Sequence, residues 1–446
     1  MNVAIVNGGH ELREGNVRLA GYKHMAVLAL AFALGQDHPV RVGVMPDNRD
    51  LAIIAQIVES LGGTVTRGAG AWIVDGSGIV SGDIPESLSR ALRGSLYLIP
   101  PILAKCGHVE FAGSGGCQLF AGEEGWTRPF DHIFDLLPCF GARLERSGGV
   151  TRITANRLHG AEIDILRYSD DPKVLMGSRV LSATKLAILI AQHVTSGTTV
   201  IRNPVCLSTT TKELLDLLVR AGYQVVTSSD EIRIGPRPPG GASGPNVIEL
   251  IPDVSEAMTY VAMACVTRTP VSIMGLTEVL GERLIADELE LLRAMGLRLS
   301  WTGAGLRVEA PDALCSVDVE CRCNGGVLTD HQPLFALMLL GAQGPCRIVD
   351  HVWRSRWRYA SELRRLGASF DIDERALTVF PGRPSTANQV VEGADVRAAA
   401  VLLLASLGVP GRTVVGGIHH LERGYCGLVE RLSSLGADIQ IRREEI

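Results

Sequence analysis

Hydrophobic residues along this chain come in two textures that alternate six times. One is a helix-length run apolar on nearly every side, at residues 25–34, 96–104, 183–191, 257–265, 334–340 and 398–404. A helix with no polar face belongs inside a core. The other is a helix with a single apolar face, as in residues 211–220, where Leu214, Leu215, Leu217 and Leu218 share one side and Gly222 follows as the stop signal. Between the two textures lies a short β-type strand, at 39–44, 108–112, 197–201, 270–274, 345–349 and 411–415. Each amphipathic helix leads to a glycine and an alternating strand. The six glycines are Gly62, Gly141, Gly222, Gly296, Gly367 and Gly436, spaced by 79, 81, 74, 71 and 69 residues. The pattern predicts buried helix, strand, exposed helix, strand, repeated six times.

Between the third and fourth repeats runs a turn-rich stretch, Gly235-Pro236-Arg237-Pro238-Pro239-Gly240-Gly241-Ala242-Ser243-Gly244-Pro245, which reads as a boundary. Six units divided three and three give two similar halves, expected at 22–240 and at 1–21 plus 241–446. A length of 446 residues also exceeds a single core. A cleft between such halves is a common ligand site.

Charge narrows the function classes. The formal net charge is −5 with no block of like charges, so the chain lacks the electrostatic footprint of a nucleic-acid binder. No partner beyond small-molecule substrates is expected. The first fifteen residues have no basic segment followed by an apolar one, and no apolar run is long enough to span a bilayer. Ten cysteines without framework spacing suggest reduced thiols and a cytoplasmic setting. Cys321 and Cys323 have no second Cys/His pair at finger spacing, so no metal site is expected.

The candidate chemistry gathers around Gly113-Ser114-Gly115-Gly116-Cys117, a glycine-rich loop carrying a thiol, followed by Arg128-Pro129-Phe130-Asp131. A guanidinium near a thiol favours the reactive thiolate, although a cysteine in a surface loop is more often inert. Further motifs follow the repeats in register: Leu19-Ala20-Gly21-Tyr22-Lys23, Arg93 with the residues to Tyr97, Ile251-Pro252-Asp253, Leu328-Thr329-Asp330-His331-Gln332, Asp395-Val396-Arg397-Ala398 and His420-Leu421-Glu422-Arg423-Gly424-Tyr425. Together they resemble the enolpyruvyl transferase family over essentially the whole chain, most closely its branch acting on UDP-N-acetylglucosamine. The branch acting on shikimate 3-phosphate is a poorer match, because its Gly-Ser-Lys-Ser signature is missing at Gly21-Tyr22-Lys23-His24.

The resemblance implies an α/β fold of two inside-out α/β-barrel domains that close on their substrates, a monomer, and no metal or organic cofactor. It implies transfer of the enolpyruvyl group of phosphoenolpyruvate to a hydroxyl by addition and elimination. Lys23, Arg93, Arg128, Arg397 and Arg423 match positions that hold phosphoenolpyruvate. Asp330 matches the general base. Cys117 matches the general acid or covalent nucleophile, with Lys23 a second candidate for protonating the vinyl carbon. His24, Asp131, Thr329, Asp330 and Arg356 fall on the acceptor side, Arg356 at a position tied to domain closure. Taken alone, Asp330 reads equally as a helix cap, and Arg356 beside Arg354 and Arg358 as plain basic surface.

Three departures lie on the acceptor side. His24 replaces the family's asparagine, ten residues rather than four separate Cys117 from Arg128, and Ser178-Arg179-Val180-Leu181-Ser182 lacks the family's lysine at its place. They favour an acceptor other than the UDP-sugar, the best candidate being the 3′-hydroxyl of UMP in nucleoside-antibiotic synthesis, while the resemblance as a whole implies the alternative, the 3-hydroxyl of UDP-N-acetylglucosamine in peptidoglycan precursor synthesis. A catalytically dead, nucleotide-binding homologue would be expected to have lost Cys117, Asp330 or the arginines, and all are present. An RNA 3′-phosphate cyclase, a relative by fold, would need a basic nucleic-acid face that this charge balance does not supply.

Overall fold

The computed structural model describes residues 2–113, 115, 131–238 and 244–443. Cys117 and Arg128, and the long segment joining them, lie outside the described residues.

The six apolar runs are helices: Lys23–Leu34, Ile99–Cys106, Ser178–Ala191, Val254–Thr267, Gln332–Leu339 and Val396–Gly408. Their interior side chains are almost completely buried, as the absence of a polar face requires. The second differs from expectation. Pro100 and Pro101 have no N–H to give a preceding turn, so they fit only its first turn, and Ile99–Cys106 is preceded by a 3₁₀ helix at Arg93–Leu98.

All six repeat glycines adopt left-handed backbone, with φ of 99, 93, 85, 92, 97 and 98° in chain order. The repeat glycine therefore marks a turn that a β-carbon disfavours. At Gly222 the nearest atom to an added Cβ is Pro238 Cγ at 3.8 Å, so the position is sterically open and only the backbone objects. Gly222→Ala is expected to lower unfolding free energy by about 1 to 2 kcal/mol, read in chemical denaturation. An unchanged midpoint would show that this turn does not need glycine.

Each repeat builds one small sheet around its central strand, giving five four-stranded sheets and one three-stranded sheet among the described residues. The strand preceding a repeat joins parallel to its central strand, and the hairpin that follows joins antiparallel. This rule closes each half on itself. Val247–Glu249 pairs parallel with Val40–Gly43, and Gly15–Arg18 pairs parallel with Val271–Met274. In the last sheet Asn2–Gly8 lies antiparallel between Gly411–Gly416 and Asp438–Arg443.

The chain divides accordingly into two compact units, one of residues 21–251 and one of residues 2–20 with 252–443, as far as described residues go. The expected boundary at 240/241 is therefore moved to 251/252, and that at 21/22 to 20/21. The physical reason is the strand Val247–Glu249, which belongs to the first repeat's sheet although it follows the proline-rich stretch. Within the 21–251 unit, the Ile99–Cys106 helix contacts both other core helices, and in the second unit the three core helices contact one another. Among the described residues no helix is long and apolar enough to cross a membrane.

Candidate active site

In the unit of residues 252–443, the motif residues sit at the N-terminal ends of the three core helices. Asp253 accepts from the backbone N–H of Ser255 (2.9 Å) and Glu256 (3.0 Å), and Asp395 accepts from Arg397 (2.7 Å) and Ala398 (3.1 Å). Both are helix caps that satisfy otherwise orphaned donors. Asp330 is different. The residue before the Gln332–Leu339 helix is His331, and Asp330 is engaged by guanidinium groups instead of capping. Arg356 Nη1 donates to Asp330 Oδ1 at 2.8 Å and to the Thr329 carbonyl at 3.2 Å. Arg397 approaches Asp330 Oδ2 through Nη2 at 3.3 Å and Nε at 3.4 Å.

Both arginines are nearly inaccessible, 5% and 3% exposed, whereas the Asp330 side chain keeps 24% of its surface. The carboxylate thus stands at the accessible edge of a buried cationic pair. For Arg356, burial opposes the charge, but Asp330 and Asp395 outweigh it and raise its pKa above the ordinary value. Arg397 is raised likewise, burial being overcome by Tyr425, Asp330 and Asp253. The Arg397 guanidinium lies over the Tyr425 ring at 5.1 Å, and the Tyr425 hydroxyl pairs with Thr259 Oγ1 at 2.8 Å. Arg356 is buried beneath Asp330, unlike its exposed neighbour Arg354, which pairs with Glu374 at 3.1 Å. The plain-surface reading of Arg356 fails on that burial. Ser355, next to it, holds φ of 56°, the kind of unfavourable backbone that a packed site sustains.

A second layer holds the Thr329–Asp330 turn. Thr329 Oγ1 donates to Asp350 Oδ2 at 2.7 Å, and Asp350 Oδ1 accepts from Val352 and Trp353 N–H at 2.8 and 3.0 Å. Glu288, 2% exposed, accepts from Leu328 N–H at 2.9 Å and pairs with His331 Nδ1 at 2.8 Å, while His331 Nε2 meets Ser255 Oγ at 3.2 Å. Glu288→Ala is expected to lower stability by about 3 kcal/mol, since it leaves a buried histidine and a backbone N–H without their acceptor. Thermal melting checks this, and an unchanged melt would deny Glu288 its holding role. Sequence reasoning missed Glu288, Asp350 and Asp395 as a supporting shell. Asp350 had a signal, an aspartate closing a buried strand just before a turn.

In the unit of residues 21–251, Lys23 opens its core helix and its Nζ pairs with Asp50 at 3.1 Å. The preceding backbone is tightly fixed. Gly21 N–H donates to the Val44 carbonyl at 3.0 Å, and a Cβ on Gly21 would sit 2.1 Å from that oxygen. Val44 itself has φ of 56°, an outlier for a β-branched residue. His24 lies edge-on to Tyr22, with ring centroids 5.3 Å apart. Arg93 begins the 3₁₀ turn, and Asp131 is an exposed first residue of the Asp131–Leu136 helix.

Beside Asp131, His132 is buried, with Nε2 2.7 Å from Ser182 Oγ at the end of the segment lacking the family lysine. Burial, followed by Arg93 and Arg179, pushes His132 down to about 3. Arg179 pairs with Asp170 at 3.4 Å. Arg423 ends the 3₁₀ turn Ile418–Arg423 in the other unit and is half-buried. Among the described residues no group of three or more histidines, cysteines or acids could hold a metal ion. Cys321 is fully buried, and burial together with Asp350 and Glu288 raises its thiol well above the ordinary value.

Residues 6–432 match the family described as EPSP synthase (3-phosphoshikimate 1-carboxyvinyltransferase). The chain is 30% identical over 448 residues to a UDP-N-acetylglucosamine 1-carboxyvinyltransferase of Halothermothrix orenii, covering 99% of each. It is 31% identical to UDP-N-acetylglucosamine 1-carboxyvinyltransferase 1 of Symbiobacterium thermophilum, covering 98% of this chain and 94% of that one. The crystal structure of the enolpyruvyl transferase NikO from Streptomyces tendae superposes with a TM-score of 0.90 at 30% identity, covering 100% of this chain and 99% of that one. EPSP synthase from Acinetobacter baumannii shares the fold, with a TM-score of 0.73 at 16% identity over 99% and 100% of the two chains. With the match spanning nearly its whole length, the chain belongs to the EPSP synthase family and is an enolpyruvyl (carboxyvinyl) transferase.

Proposed function

We propose that the protein transfers the enolpyruvyl group of phosphoenolpyruvate to a hydroxyl of a uridine nucleotide. The observation that carries this reading is the accessible Asp330 carboxylate held by two buried arginines, a base and cations in one cluster. Lys23, Arg93, Arg128, Arg397 and Arg423 are assigned to the anionic donor. Opposite charge and bidentate geometry suit guanidinium groups to its phosphate and carboxylate. His24, Asp131, Thr329 and Arg356 are assigned to the acceptor.

Asp330 takes the proton of the acceptor hydroxyl as its oxygen bonds to C2 of phosphoenolpyruvate. The C2=C3 electron pair takes a proton at C3 from Cys117 or Lys23, giving a tetrahedral intermediate. A C3 proton is then lost to a base, the double bond re-forms, and the C2–O bond to phosphate breaks. The products are the enolpyruvyl ether and inorganic phosphate.

For the acceptor the preferred reading is the 3′-hydroxyl of UMP, as in nucleoside-antibiotic synthesis. It is supported by the acceptor-side departures, at His24, at Ser178–Ser182 and in the ten residues between Cys117 and Arg128. The 3-hydroxyl of UDP-N-acetylglucosamine, in peptidoglycan precursor synthesis, is the second reading, favoured by relatives that carry that activity in their names. Phosphate release from phosphoenolpyruvate with each acceptor separates them. Release with UMP alone supports the first, release with the UDP-sugar alone the second, and release with neither contradicts the uridine-nucleotide reading.

A further inference from the structure

Each buried arginine of the Asp330 cluster keeps one guanidinium nitrogen without a hydrogen-bond partner, Nε of Arg356 and Nη1 of Arg397, and of the two Arg397 holds Asp330 the more loosely. Its Nη1 is buried and has no hydrogen-bond partner among the described residues, and its contacts with Asp330 are the long ones, 3.3 and 3.4 Å. Arg356 by contrast holds Asp330 at 2.8 Å. A buried guanidinium N–H left without an acceptor costs free energy comparable to a lost charge-assisted hydrogen bond. Arg397 is therefore primed for a further anion, while part of its fork is committed to a carboxylate of the protein itself. Its backbone is held, the N–H being capped by Asp395 at 2.7 Å, and the guanidinium rests on the Tyr425 ring, which leaves the fork to choose between acceptors.

From this geometry we infer that Asp330 acts as an internal competitor for Arg397, so that the anionic donor must draw the guanidinium away from the carboxylate it is later to use as a base. The inference rests on the reading of phosphoenolpyruvate as donor. Its consequence is an order of events. While Arg397 and Arg356 both donate to Asp330, each of its oxygens carries a guanidinium hydrogen bond. Once an anion takes the planar fork of Arg397, Oδ2 is released to receive the acceptor's proton. Donor binding thus precedes full base competence, and a hydroxyl arriving first meets a carboxylate whose Oδ2 carries both Arg397 contacts. The coupling is reciprocal, so holding Asp330 weakens the affinity of Arg397 for the donor.

The test is a double-mutant cycle on donor binding, measured by calorimetry with phosphoenolpyruvate and no acceptor. Asp330→Asn is expected to tighten binding about tenfold when Arg397 is present, and by less than about twofold in an Arg397→Gln background. Equal tightening in both backgrounds would mean that Asp330 acts only through its net charge and would overturn the inference, as would no tightening in either. If Arg397→Gln binds too weakly to titrate, Arg397→Lys takes its place. It keeps the charge and loses the fork, so the gain from Asp330→Asn must shrink. Failure of the wild-type protein to bind phosphoenolpyruvate would instead strike the donor assignment, and with it this inference. Circular dichroism of each variant reports whether it has folded.

Discussion

Asp330→Asn is expected to lower kcat by about a thousandfold, within the span by which removal of a general base slows proton transfer. The amide keeps the size, and its one carbonyl oxygen can still accept from Arg356, while its NH2 no longer accepts from Arg397 and the proton acceptor is lost. Melting should fall by less than in Asp330→Ala, and KM for the donor should not rise. Asp330→Ala should behave differently. It removes the carboxylate from between two buried guanidinium groups, 5% and 3% exposed, and should cost about 3 kcal/mol of stability as well as activity. An Asp330→Asn enzyme retaining more than a tenth of wild-type turnover would remove Asp330 from the base role.

The second large effect is on stability below neutral pH. His132 and His193 are both buried and both pushed down to about 3 from an ordinary 6.5. For His132 burial is reinforced by Arg93 and Arg179. For His193 burial is reinforced by Arg237 and Lys105 and opposed by Asp37. The folded state thus holds each ring neutral where the unfolded chain would protonate it. Stability from these groups is fully present above the unfolded value of 6.5 and drains away as pH falls from there toward 3. At pH 5 the loss is about 2 kcal/mol for each histidine, or about 4 kcal/mol together. Denaturant midpoints at pH 8 and pH 5 measure it, and His193→Leu should remove about half of the slope. Equal midpoints at the two pH values would show that the rings are not held neutral.

Much of the fold was legible because it repeats. The apolar runs, the central strands and the glycines recur with a spacing that single elements could not have revealed, and the six positive-φ glycines share one local need. The unit boundary was not legible. Val247–Glu249 is only three residues long and alternates too briefly to mark a strand, and what assigns it is pairing with Val40–Gly43, some 200 positions earlier.

The site shows the same division. Residues inside ordered motifs, such as Lys23, Asp330 and Arg397, could be picked out by resemblance. Their partners could not. Asp50 is an ordinary first-turn acid in an amphipathic helix, and Glu288 an acid in a polar helix with no motif around it. Each becomes recognisable only when burial brings it against Lys23 or His331. Asp330 itself read equally as a cap, and what separates the readings is Arg356, a distant arginine carried in by another strand-to-helix turn. His132 followed the Arg128–Asp131 motif directly, yet its neutral, buried state depends on Arg93 and Arg179.

The central claim is addition and elimination of phosphoenolpyruvate on a uridine nucleotide hydroxyl. The most direct test is to run the reaction in deuterium oxide with UMP and, separately, with UDP-N-acetylglucosamine, and to examine any product by NMR and mass spectrometry. Protonation of C3 in deuterium oxide gives a CH2D methyl, and loss of either protium from it leaves deuterium in the vinyl methylene, whereas loss of the deuteron leaves none. The account predicts an enolpyruvyl ether of one of these nucleotides carrying that deuterium, formed together with inorganic phosphate. An ether free of deuterium would contradict addition and elimination, and the absence of any ether would contradict the assigned transfer.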